Sequence, residues 1–176
     1  MNILIAIPSK DRPQGLLKNT FSWLRHTKHE FKIFVEPQDF EKYASIYDSK
    51  HIVKMKENDM GLWYAKKSIK EYAEKNNYQA VFKLDDDVQA LRDPRNRGLG
   101  KNAPKVSKEE RCKFLFDPII DNCIPILKEL EDIGGISFMY GNEMREYDDQ
   151  KTFDFINKRF QSCYIVRTEL LTHFDG

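Results

Sequence analysis

Three consecutive carboxylates, Asp85-Asp86-Asp87, directly follow the apolar segment Ala80-Val81-Phe82-Lys83-Leu84. Side chains alternate along an extended chain, so Asp85 and Asp87 are expected to share one side while Asp86 points away. Two like charges about 6 Å apart at an effective dielectric near 20 repel by roughly 2–3 kcal/mol. A divalent cation removes that penalty, and hard carboxylate oxygens suit magnesium, manganese or calcium. The competing reading is a solvated turn in which Asp87 caps the next segment.

Other residues of chemical interest lie on either side of this run. Ser9-Lys10-Asp11-Arg12-Pro13 follows the short apolar run Ile3 to Ile7 and Pro8. A proline there suits the first turn of a helix, with Asp11 or Arg12 near the cap position. Gly61 suits a tight helix entry, and Trp63 reads as a core residue, with stacking on a base as the alternative. Between Arg92 and Lys113, eight cations stand against three acids. That excess would track a phosphate backbone, steady a diphosphate, or form a solvated basic loop. His26, His29 and His51 form no constellation, and His173 reads as a surface or core-edge residue.

The elements that must position these groups alternate in type. Ile3 to Ile7 is a short β-branched run that reads as a buried strand. A helix opens at Pro13, with Leu16, Leu17, Thr20, Phe21 and Leu24 at helical spacing. Phe31 to Val35 is a second strand, ending at Glu36-Pro37. A short helix over 39–47 and a third strand over 51–55 follow. The next helix starts at Gly61 and carries Tyr64, Ala65, Ile69, Tyr72 and Ala73 as its inner stripe, until Asn76-Asn77 ends it. Residues 80–84 are the fourth strand. This order predicts an α/β fold with a mostly parallel sheet flanked by helices. In such sheets ligands bind beyond the carboxyl ends of the strands, where Asp85 to Asp87 fall. Residues 89–106 read as a long loop. A helical region over 107–132 has candidate breaks at Asp117-Pro118 and Pro125, and strands are expected over 135–140 and 160–166 before a final short helix over 168–174.

The chain of 176 residues, with a formal net charge of +1, is read as one domain over 1–176 that can bury a core. The charge balance neither demands nor excludes a nucleic-acid partner. No apolar stretch approaches the roughly 20 residues that cross a bilayer, and the N-terminal run is too short and lacks the basic leader of a signal peptide. Three spaced cysteines suggest neither a disulfide framework nor a zinc cluster, so a reducing, cytoplasmic setting is expected.

Taken in order, Ile5-Ala-Ile-Pro-Ser-Lys-Asp-Arg-Pro13, Gly61-Leu-Trp-Tyr-Ala-Lys-Lys67 and Leu84-Asp-Asp-Asp-Val88 resemble the nucleotide-binding half of GT-A glycosyltransferases, family 2 being the nearest broad match. The similarity covers residues 3–88, with weaker support over 134–176. A narrower resemblance rests on Ile7-Pro-Ser-Lys-Asp-Arg-Pro13, Phe34-Val-Glu-Pro37 and Tyr43, which look similar to the phage TET-associated glycosyltransferases that modify hydroxymethylpyrimidines in DNA.

The resemblance implies a Rossmann-like GT-A fold, a nucleotide-sugar donor (a UDP-sugar first) and Mn2+ or Mg2+ bridging the donor diphosphate. It implies Asp87 as the direct metal ligand, with Asp85 on the metal, a metal-bound water or the ribose, and Asp86 in support. Pro8, Ser9, Asp11 and Arg12 would line the nucleotide pocket. Glu36 would meet the base or ribose, and Lys66 stands where the pattern has an arginine that meets a phosphate. The acceptor would be a hydroxyl, on a hydroxymethylated base of phage DNA by the narrower resemblance. The setting would then be the host cytoplasm.

The pattern departs in one respect. Inverting members carry a general base after a segment like Phe174-Asp175-Gly176, so the base is expected beyond Gly176 and the chain is expected to be truncated. Glu143, Glu146, Asp148 and Asp149 are weaker substitutes. A sugar nucleotidyltransferase and a non-catalytic metal- or nucleotide-binding module stay open as alternatives. The first usually has a glycine-rich phosphate loop that the Pro8-Ser-Lys-Asp-Arg12 opening lacks.

Overall fold

The structure is a computed structural model that describes residues 1–89, 105–138 and 163–172. Its centre is β1 (Ile3–Pro8), buried from Ile3 to Ile7. Parallel neighbours flank it, β2 (Phe31–Val35) on one side and β4 (Ala80–Lys83) on the other. β3 (Ile52–Lys54) extends the sheet beyond β2. On the far side lie β6 (Cys163–Arg167), antiparallel to β4, and β5 (Gly135–Phe138), antiparallel to β6. The order is β3-β2-β1-β4-β6-β5. The expected mostly parallel sheet is thus found, with β6 the one reversed strand among the described residues.

Alternation along β1 sorts the core into two layers. Ile3, Ile5 and Ile7 pack with Leu16 of α1 (Pro13–Lys18), Trp23 and Leu24 of α2 (Thr20–Leu24), Tyr43 of α3 (Phe40–Ala44), and Ile120 and Leu127 of α6 (Asp117–Glu129). Leu4 and Ala6 face Ala65, Ile69 and Ala73 of α4 (Gly61–Lys75). Apolar side chains on both faces are what a parallel sheet sandwiched by helices requires.

Several local expectations need correction. The helix expected from Pro13 is two helices, because Asn19 leaves helical geometry at φ −98°, ψ −106°. The segment after Glu36 is a single 3-10 turn, Pro37–Asp39, leading into α3. A capping box between Ser107 and Glu110 starts α5 (Lys108–Arg111). A π-helical turn over Cys112–Phe116 then leads without a break into α6, with Pro118 at its start. Pro125 lies inside α6 without ending it. Arg167 fastens the last turn of α6 to β6, donating from Nε to the Ile133 carbonyl at 3.0 Å and from Nη2 to those of Leu127 and Leu130. A single 3-10 turn, Thr168–Leu170, stands where a final helix was expected.

Candidate donor-binding site

The chain passes from β1 to β2 and β3 on one side and then crosses from β3 through α4 to β4 on the other, so the switch point of the sheet lies between β1 and β4. Ligands of open α/β sheets bind at such a point, at the carboxyl ends of the strands. Pro8, Ser9, Asp11 and Arg12 lie there at the end of β1, and Asp85, Asp86 and Asp87 at the end of β4.

The two strand ends are joined by a closed ring of hydrogen bonds. Ser9 Oγ donates to Asp86 Oδ2 at 2.6 Å, and Arg12 Nη2 donates to Asp86 Oδ1 at 2.7 Å. Tyr43 Oη lies 2.6 Å from Ser9 Oγ and accepts the Arg12 backbone N–H at 3.2 Å. A serine hydroxyl has one proton, and here it goes to Asp86. Tyr43 must therefore donate to Ser9, which leaves its lone pairs for Arg12. Asp86 is 4% exposed, whereas the Arg12 side chain is 60% exposed, so one end of the ion pair is buried and the other faces water. Burial pushes the Asp86 carboxyl above its ordinary range, and the neighbouring Asp87 and Asp85 charges push the same way. The Ser9 hydroxyl and the Arg12 guanidinium pull it back. Burial also raises the Tyr43 phenol.

The acidic run begins in extended chain and ends in a turn. The strand ends at Lys83, the Leu84 N–H makes a last bond to the Ala6 carbonyl at 3.0 Å, and the chain turns at Asp86 and Asp87. Asp86 points away from its two neighbours, as expected, and is buried against the end of β1. Asp87 stands outward, 57% exposed, with Arg12 Nη1 at 3.9 Å. Asp85 is held by Lys83 of the preceding strand.

A second group of charges fills the rim between the ends of β1 and β2. Lys10 bridges Glu36, at 3.1 Å, and Asp59. Gln38 Nε2 donates to Glu36 at 2.8 Å. Of the two cap candidates, Asp11 does not cap α1. Its φ is +52°, its backbone N–H donates to the buried Asp39 at 2.9 Å, and its carboxylate takes Lys42 Nζ at 2.7 Å. Arg12 is the N-cap residue of α1, without a side-chain capping bond. Lys10, Asp11, Gln38, Asp39, Lys42 and Asp59 line an open hollow of about 380 Å3. Another, of about 440 Å3, opens between Met1, Gln79 and Arg167 at the amino ends of β1 and β4. That is the end of a parallel sheet where ligands do not collect.

The remaining candidates are distributed less favourably. Glu36 is buried at the end of β2 within reach of the rim hollow. Lys66 is a buried residue of α4. Gly61 begins α4 at φ +77°, as its expected role requires. Trp63 is 55% exposed, beside exposed Met60 and Leu62, so its core assignment is overturned. His51 stacks on Phe31, and His29 lies 3.4 Å from Asp121, both away from the acidic turn. Most of the basic segment, together with Glu143, Glu146, Asp148, Asp149, His173 and residues 174–176, lies outside the described residues. Sequence reasoning missed Asp39 and Lys42, whose pairing to Asp11 depends on a positive φ that no local pattern announces.

Similar folds occur in the mannosyltransferase PcManGT from Pyrobaculum calidifontis, solved in complex with GDP-Man and Mn2+, and in S. aureus TarS 1-349. The first has 14% identity and a TM-score of 0.50 over 99% of this chain and 47% of that one. The second has 14% identity and a TM-score of 0.51 over 98% of this chain and 49% of that one. The chain therefore spans about half the length of these solved proteins, and its fold is that of GT-A-type glycosyltransferases. No curated protein matches it by sequence. A family profile does match, over residues 3–175, and the chain belongs to the TET-associated glycosyltransferase family.

Proposed function

We propose that this chain binds a nucleotide-sugar donor with a divalent cation at the β1–β4 switch point, for transfer of the sugar to an acceptor hydroxyl. The observation that carries the reading is the ring of Ser9, Asp86, Arg12 and Tyr43. It fixes the acidic turn against the end of β1 and leaves Asp87 facing outward. Among the described residues no three His, Cys, Asp or Glu side chains form a ready cation site. Mg2+ and Mn2+ suit such a place, because they bind through one or two carboxylates and take their other ligands from water and substrate phosphates. Asp87 would hold the cation, with the Asp85 oxygen not taken by Lys83. Bound there, it would neutralise charge that develops on the departing nucleoside diphosphate.

The chain's own residues supply orientation. Arg12, half in water and pinned through Nη2 to Asp86, keeps donors for a donor phosphate. Glu36, Gln38 and Asp39 offer polar groups to the ribose and base at the rim. Our reading of the donor is a UDP-sugar, and the GDP-Man bound to PcManGT makes GDP the necessary comparison. The acceptor in this reading is a hydroxymethylated base in DNA, supported by the family match and by exposed Trp63 with Lys67 Nζ 5.8 Å from its ring centre, a suitable face for a base. No helix among the described residues is long and apolar enough to cross a membrane. Cys112, Cys123 and Cys163 are buried free thiols, which supports the cytoplasmic setting.

Calorimetric titration of UDP and GDP, with and without Mn2+, tests the donor site. Binding should require the metal and weaken on the order of 100-fold in Asp87→Ala, with an unchanged melting temperature because Asp87 is exposed. Metal-independent binding, or none, would defeat the reading. Turnover on hydroxymethylated DNA by the whole protein separates the enzyme from a non-catalytic binding module.

A further inference from the structure

Below the acidic turn, two backbone groups have left the sheet ladder. β4 ends at Lys83, so the Asp85 carbonyl and the Val88 N–H face the helix layer rather than a neighbouring strand. Thr20 takes both. Its Oγ1 donates to the Asp85 carbonyl at 2.7 Å and accepts the Val88 N–H at 2.9 Å. The side chain is fully buried, and its single proton is committed to Asp85. Trp23 Nε1 adds a third bond, to the Val88 carbonyl at 3.0 Å.

These contacts explain an oddity of the helix layer. Asn19 interrupts what the apolar spacing predicts as one helix, and the interruption lets α2 take its own orientation. Thr20 and Trp23 of α2 both meet the turn, while Leu24 remains in the core. Thr20 grips the chain on both sides of Asp86 and Asp87, which are therefore the two residues inside the bracket.

We propose that Thr20 is the positioning residue of the acidic turn: by bracketing Asp86 and Asp87 it sets the direction of the Asp87 carboxylate. The proposal rests on the donor-site reading for its functional consequence, but not for its structural one. Thr20→Val keeps the shape and removes the hydroxyl, whereas Thr20→Ser keeps the hydroxyl. Mn2+-dependent affinity for the nucleoside diphosphate should fall on the order of tenfold in Thr20→Val and stay near wild type in Thr20→Ser. Ile120→Val, a cavity-forming change in α6 far along the chain from the turn, should lower the melting temperature without changing affinity.

Amide hydrogen exchange at Val88 gives a readout that needs no nucleotide. Exchange should accelerate in Thr20→Val and remain slow in Thr20→Ser and Ile120→Val. Should Thr20→Val fail to fold, Trp23→Phe removes only the third bond and should shift both readouts the same way by less. Unaltered Val88 exchange and unaltered affinity in a folded Thr20→Val protein overturn the proposal. Loss of slow exchange in a wild-type protein that binds no nucleotide would leave the bracket wrong as well. Slow, hydroxyl-dependent exchange without nucleotide binding would keep the bracket and refute only the donor site.

Discussion

The seam between β1 and β4 and the rim between β1 and β2 use the same groups, carboxylates set against cations, to opposite electrostatic effect. At the seam, Asp86 is buried and its carboxyl is held above the ordinary range by burial, despite Ser9 and Arg12. At the rim, Asp11 and Asp59 lie in the open and are held below that range, Asp11 by the Lys42 ammonium and Asp59 by that of Lys10. Desolvation outweighs pairing in the first place and is outweighed in the second. A buried carboxylate with its partners fixed is a part of the scaffold. An exposed ion pair is a surface that solvent and ligand can rearrange.

The largest effect that could break this contrast is expected from Asp86→Ala. It removes the acceptor for Ser9 and Arg12 at once and opens the ring that joins the two strand ends. The loss should be about 3 kcal/mol, a fall in melting temperature of roughly 6–12 °C for a chain of this size. Differential scanning calorimetry measures it. A shift as small as that of a rim variant would mean that the seam is not a scaffold.

How far these features were legible in the sequence follows from their range. The strands of a mostly parallel sheet could be anticipated because Ile3 to Ile7, Phe31 to Val35 and Ala80 to Leu84 are apolar runs whose types favour strands. The site was legible as far as the strand ends, since a parallel sheet collects its ligands there. The directions of the side chains were not. Asp86 meets Ser9, 77 residues away, and the turn that carries it is bound by Thr20, 65 residues from the Asp85 carbonyl. Trp63 was placed in the core from its bulk, although it falls outside the stripe of Ala65, Ile69 and Ala73. Tyr43 supported the family resemblance as a letter, and only its contact with Ser9, 34 residues away, shows what it does.

A smaller effect, opposite in sign at the two places, should appear in the dependence of stability on pH. Asp86 has a folded pKa above its ordinary 3.8, so the native state holds the proton more tightly than the unfolded chain. Its contribution is complete below pH 3.8 and is lost as pH rises through the raised value. Asp59 has a lowered folded pKa, so its contribution is present above 3.8 and lost as pH falls through the lowered value. Urea denaturation at a series of pH values should therefore show the stability difference between wild type and Asp86→Asn shrinking as pH rises. The difference between wild type and Asp59→Asn should grow. Equal signs in the two variants would erase the distinction between seam and rim.

The smallest effect separates charge from backbone at the rim itself. Asp59 holds φ at +58°, two residues before Gly61 at +77°, so the turn into α4 needs left-handed geometry at both positions. Asparagine adopts that region at least as readily as aspartate, and alanine does not. Asp59→Asn removes only the charge facing Lys10, which is half exposed and open to screening. Its melting temperature should match wild type in about 0.5 M salt, where the Debye length is only a few ångströms. Asp59→Ala should melt lower at low and high salt alike, because salt does not screen a strained dihedral. If the asparagine variant instead fell as far as the alanine one at high salt, the Lys10–Asp59 pair would be structural. The rim would then have to be regarded as a second fixed seam, with less freedom to admit a ribose and base than its exposure suggests.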